Sequence, residues 1–153
     1  MLLTTHVATS VGLLGTDATV LLLAVEGARG SDPVAIYPAA QLIGALLLVP
    51  LALGALATGI TLGLLTPWGL LRHWWVAAKL ALTTAGAVLA LVVLTPTLSG
   101  VAAASRSGGA IALADRLELV RDSGAASLVL LVTVVLSVYK PFGRIRRSPA
   151  RAS

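Results

Sequence analysis

Cysteine is absent from this chain of 153 residues, which excludes disulfides, thiolate metal sites and cysteine nucleophiles. Charge is scarce: 11% of the residues are Asp, Glu, Lys or Arg, where a soluble domain carries roughly a quarter. That deficit excludes an ordinary water-soluble globular fold. Methionine occurs only as Met1. No nucleophile elbow, phosphate loop, HExxH pair or dinucleotide fingerprint is present. No Lys or Arg precedes the first apolar run, and Asp17 interrupts it, so a cleaved signal peptide is not expected.

What is abundant is apolar: 58% of the chain is hydrophobic. The apolar residues gather into four segments, and a spanning helix needs about 20 such residues to cross about 30 Å of hydrocarbon. The first covers residues 2–25 and stops at a turn-rich loop, 26–33. The second covers 39–65 with Pro50 near its middle, where a missing backbone donor predicts a kink. Thr66, Pro67, Trp68 and Gly69 form a short connection. The third covers 71–94 and ends at Thr95 and Pro96. Residues 110–122 are amphipathic, with Leu113, Leu117 and Val120 on one face and Asp115, Glu118 and Asp122 off it. They form either an interfacial helix or an extension of the fourth segment, 125–139. The expected fold is all-α: a four-transmembrane-helix up-down bundle over 1–140, with an amphipathic segment before the last helix and a basic tail, 141–153.

The loops give the orientation. One side carries Arg72, Lys140, Arg144, Arg146, Arg147 and Arg151 and no acid; the other carries Arg29, Arg106, Arg116 and Arg121 against Glu26, Asp32, Asp115, Glu118 and Asp122. Lys and Arg beside spans mark the cytoplasmic side. Trp68, Trp74, Trp75 and Tyr139 fall at that side too, where amphipathic rings prefer the headgroup level. Both termini are therefore expected in the cytoplasm, in a bacterial inner membrane. The usage of nine Arg against two Lys suits a GC-rich bacterial genome. The basic tail fits anionic lipid, and no folded module for reading nucleic acid accompanies it.

Small residues at four-residue spacing, such as Gly59 with Gly63 and Ala8 with Gly12, predict close helix contacts. Those contacts lie within the bundle or in a homo-oligomer or another membrane-protein partner. Polar groups within the spans are functional candidates, because burying them in lipid is costly. His6 and His73 lie at similar depth on the cytoplasmic side, which suits two axial ligands of a b-type haem or a small metal site. The same residues also suit imidazoles hydrogen-bonded at the headgroup boundary. Asp17 shares a face with His6 about 16 Å further along the helix. Gln41 is expected to hydrogen-bond Asp17, whose role is then either an interhelical bond or a proton or cation site. Lys79 is expected to snorkel toward the cytoplasmic side past Trp75.

Two stretches carry a resemblance: His6–Val7–Ala8–Thr9–Ser10–Val11–Gly12–Leu13–Leu14–Gly15, and Thr66–Pro67–Trp68–Gly69–Leu70–Leu71–Arg72–His73–Trp74–Trp75–Val76 with Lys79 following. With the segment spacing, residues 5–95 resemble a family of uncharacterised, predicted integral membrane proteins of bacteria with four helices. The first helix is also similar to the copper-resistance CopD-type membrane domain, which begins with a histidine and a Trp-Val-Gly-like run. Leu13 and Leu14 stand where that pattern has tryptophan. The resemblance implies a fold and no activity.

Three functions are compatible with these residues. One is a non-enzymatic accessory or interaction protein of the inner membrane. The second is an electron-transfer protein holding haem b or a metal at His6 and His73. The third is a small proton-coupled carrier using Asp17. The topology is directly testable. A reporter active only in the cytoplasm, fused after Ser153, is expected to be active, and a periplasm-specific reporter silent; the opposite result refutes the orientation.

Overall fold

This computed structural model of the chain describes residues 1–65 and 74–139, without the side chains of Trp75 and Val138. His73, Arg72, Trp68, Lys140 and the tail 141–153 lie outside the described residues. The described chain is helical with no strand. Helix α1 is Leu2–Ala28 and α2 is Pro33–Leu65. Helix α3 is residues 74–106, and α4 is Leu113–Tyr139. All four contain stretches long and apolar enough to cross a membrane. Gly30 and Gly108 take φ of +100° and +70° in the turns after α1 and α3, a backbone region where a side chain is strained.

Helix α2 starts six residues before the apolar segment that signals it. Asp32 caps it, its Oδ1 accepting the Val34 N–H at 3.0 Å, and Pro33 takes the first helical position. Helix α3 does not end at Thr95 and Pro96, as its sequence suggests; it continues to Arg106. The reason is a wide turn of π-helix, Ala90–Leu94, in which the Thr95 N–H reaches back to the Ala90 carbonyl. In a regular α-turn the Pro96 ring would collide with the carbonyl four residues earlier and leave it without a donor. The wider turn relieves that crowding. The Thr95 and Thr97 hydroxyls add bonds to the carbonyls of Ala90 and Val93, at 2.7 and 2.8 Å. Pro50 in α2 is accommodated the same way, by a π-turn at Gly44–Leu48. The amphipathic residues before the fourth segment are no separate interfacial helix. From Leu113 onward they are the opening turns of α4, which gives it 27 residues.

Named contacts fix the register. Between α1 and α2, His6 meets Thr58, Gly12 meets Leu51 and Gly27 meets Tyr37. Between α2 and α3, Gly44 meets Leu98 and Gln41 meets Ser99. Between α3 and α4, Gly86 meets Val129 and Lys79 meets Ser137. Between α1 and α4, Asp17 meets Ser127 and Leu21 meets Gly124. Gly59 lies against the His6 ring and Gly63 is buried, so this GxxxG pair serves packing within the chain.

Size is sorted from inside to outside. Ala24, Ala40, Ala52, Ala55, Ala87, Ala90 and Ala102 are buried, while Leu22, Leu46, Leu64, Val92 and Leu128 are each more than 60% exposed. Small residues inside let the backbones approach closely.

The tightest approach makes a stability prediction. A Cβ on Gly27 would lie 2.6 Å from the Tyr37 hydroxyl, whose ring is fully buried. Gly27→Ala is expected to cost about 1–3 kcal/mol through overpacking. Tyr37→Phe is expected to leave stability unchanged or raise it, because that hydroxyl is buried and, among the described residues, has no hydrogen-bond partner. Thermal unfolding in detergent checks both; a destabilised Tyr37→Phe would contradict the packing described.

Candidate functional site

Asp17 lies on the buried face of α1, in line with Leu13, Val20 and Ala24. It is 1% exposed. A carboxyl at such a position must be protonated or find polar neighbours, since burying it bare is costly. It finds one: Ser127 of α4 donates its hydroxyl to Asp17 Oδ2. Among the described residues Oδ1 has no hydrogen-bond partner. Asp17 also lines a small, partly open cavity between the helices, of about 30 Å³. All four helices contribute to that cavity: Leu13 from α1, Leu48 and Ala52 from α2, Thr83, Gly86 and Ala90 from α3, and Thr133 from α4. Leu48 and Ala90 belong to the two π-turns, so the proline accommodations and the carboxyl share one depth.

The expected Asp17–Gln41 bond is not formed. Gln41 donates instead to Ser99 Oγ at 3.3 Å and accepts from Arg106. The α1–α2 contacts set Asp17 level with Leu46 and Leu47, and Gln41 level with Leu22. That is a gap of about 8 Å along the axis. The discrepancy comes from the start of α2. With residues 33–38 helical, Gln41 sits about 9 Å further into the helix than a start at residue 39 implies.

His6 sits between α1 and α2, with its Nδ1 at 3.0 Å from Thr58 Oγ1. The Thr58 hydroxyl hydrogen goes to the Gly54 carbonyl at 2.6 Å, so His6 Nδ1–H is the donor and Nε2 keeps its lone pair. The ring packs on Gly59, where a Cβ would come within 3.1 Å of Cε1. His73 lies outside the described residues, as does any meeting of the two imidazoles. Among the described residues no three His, Cys, Asp or Glu form a metal-binding group. Lys79 reaches across to α4, where Nζ donates to Ser137 Oγ at 2.5 Å. Ser137 in turn donates to the Thr133 carbonyl at 2.9 Å.

Sequence reasoning identified Asp17 but missed Ser127, Thr83 and Thr133. Ser123 and Ser127 stand four apart in α4, a faint sign of a polar stripe, and both face inward. No family model, curated protein or solved structure matches this chain. The functional reading therefore rests on the chain's own residues.

Three substitutions probe the site. Asp17→Asn keeps size and hydrogen bonding and is expected to fold with wild-type stability. Asp17→Leu and Ser127→Ala each leave a buried polar atom unpaired and are expected to cost about 1–3 kcal/mol. Chemical denaturation in mixed micelles checks this order; equal stability of all three would show that the hydrogen bond contributes nothing.

Proposed function

We propose that this chain is a non-enzymatic, four-helix up-down protein of the bacterial inner membrane, with both termini cytoplasmic, that binds a proton at Asp17 inside the bundle. It works as a small proton-coupled carrier or as the proton-binding subunit of a larger membrane assembly. The large apolar side chains turned outward support insertion, since a soluble monomer rarely exposes such continuous apolar surface. One observation carries the proton reading: a carboxyl 1% exposed, with one oxygen bound by a serine and the other, among the described residues, unpartnered beside a small cavity. Intramembrane acids that face a bundle interior are characteristic of proton and ion pathways. The CopD-type and four-helix family resemblance is compatible with this architecture and adds no activity to it.

A second reading, haem b held between His6 and His73, has one observation in its favour. Thr58 fixes the His6 tautomer with Nε2 unprotonated, which is the form an axial ligand needs.

Two measurements on purified protein decide. Infrared spectra of the wild type at neutral pH are expected to show a protonated-carboxyl band that Asp17→Asn lacks. In vesicles with an imposed membrane potential, wild-type proton flux is expected to exceed that of Asp17→Asn. Absence of both differences refutes the proton reading. A Soret band, lost in His6→Ala, would select haem instead.

A further inference from the structure

We propose that the groove between α3 and the α3–α4 turn holds one acyl chain of a membrane lipid whose ammonium headgroup sits on Asp115. The site is independent of the proton reading and needs only that the chain lies in a bilayer.

The shape of the groove comes from small residues. Thr97, Gly100 and Ala104 share one face of α3, and Ala110 and Ile111 of the turn, with Asp115 of α4, line the rest. The space between them measures about 240 Å³. A water's share of liquid is about 30 Å³, so about eight groups of that size, methylenes included, have room there. Gly100 leaves the floor open: a Cβ at this position would meet no atom within 4 Å. From Ala104 to Thr97 the groove runs about 10 Å along the helix, from the turn toward the middle of the span.

The chemistry is that of an amphiphile's site. Val101 and Ile111 are buried beside the groove, and the Thr97 hydroxyl is spent on the Val93 carbonyl at 2.8 Å. The one charged group in the lining is Asp115, at the turn end. It stands at the edge of the apolar stretch Leu113–Ser137, the depth at which headgroups lie. The neighbouring acids are engaged. Glu26 pairs with Arg29, Glu118 and Asp122 share Arg121, and Asp32 caps α2. Among the described residues no ion pair engages the Asp115 carboxylate. The helix dipole alone favours an acid in this first turn, but it does not account for an apolar trough leading away from one. An alkyl chain ending in a cation matches both parts. A metal ion would need about six oxygens, which this lining lacks. A primary ammonium needs one carboxylate and gives it charge-assisted N–H bonds.

The test places the protein in bilayers containing equal amounts of phosphatidylethanolamine, phosphatidylcholine and phosphatidylglycerol. The protein is then released into mild detergent and weighed by native mass spectrometry with its retained lipid. The wild type is expected to retain phosphatidylethanolamine in preference to the other two, which lack N–H donors or carry an anionic head. Asp115→Asn is expected to cut that preference by about fivefold, the scale of an exposed ion pair, and Asp115→Glu to keep it. Glu118→Gln removes an acid already paired with Arg121 and is expected to change nothing. Gly100→Leu fills the groove from its open floor and is expected to fold and to lose the retained lipid. Equal retention of the three lipids by the wild type, an unchanged preference in Asp115→Asn, or an equal loss in Glu118→Gln overturns the proposal. If Asp115→Asn fails to fold, Gly100→Leu decides, and retained phosphatidylethanolamine in that variant overturns it. A wild-type chain that stays out of the bilayer refutes membrane insertion, and the site with it.

Discussion

The whole arrangement depends on how closely the four helices approach. Between apolar helices in an apolar medium there is no hydrophobic drive to associate, so contact must come from packing and a few polar bonds. This chain supplies both in the same places. Alanines and glycines occupy the inner faces, and Leu and Val the outer ones. Four polar pairs use the close approach of the backbones to reach the neighbouring helix. His6–Thr58, Asp17–Ser127, Gln41–Ser99 and Lys79–Ser137 each cross a different seam of the bundle. Substituting larger residues at the inner glycines would separate these pairs before it unfolded any helix.

The prolines obey the same constraint from the backbone side. A buried helix cannot leave a carbonyl unpaired at low cost, and Pro50 and Pro96 each threaten one. In both cases the chain inserts a single π-turn just before the ring instead of ending the helix. Because the two turns lie at the depth of Asp17, they also shape the cavity. Leu48 and Leu94 form part of its wall as a result.

Much of this architecture was legible in the sequence. Four apolar runs, the turn residues at 26–33 and the isolation of Asp17 sufficed for four helices and an inward carboxyl. What escaped were features set by long-range register. Ser127 lies 110 residues from Asp17, and nothing local indicates which helix will face the acid. Gln41 lies at a different depth from the one its sequence position suggests, because the apolar run begins at residue 39 whereas Asp32 caps the helix from Pro33 onward. Pro96 read as a terminator because proline usually is one; the π-turn that overrides it has no simple sequence signature. His73 and the basic residues that set the orientation lie outside the described residues, so the cytoplasmic assignment continues to rest on charge distribution alone.

The separation of Asp17 from Lys79 bears on the proton reading. Their hydrogen-bond partners, Ser127 and Ser137, stand ten residues apart on α4, a distance of about 15 Å along its axis. The cation is therefore too far away to clamp the acid. An ion pair at Asp17 would lock the carboxylate in its charged form and turn the site into a structural bolt. A serine does the opposite: its neutral hydroxyl is compatible with the acid in either state. The rest of the cavity wall is apolar apart from Thr83 and Thr133, so nothing charged lines it besides Asp17. The fold thus holds an acid where charging it is costly, and among the described residues no salt bridge reaches it.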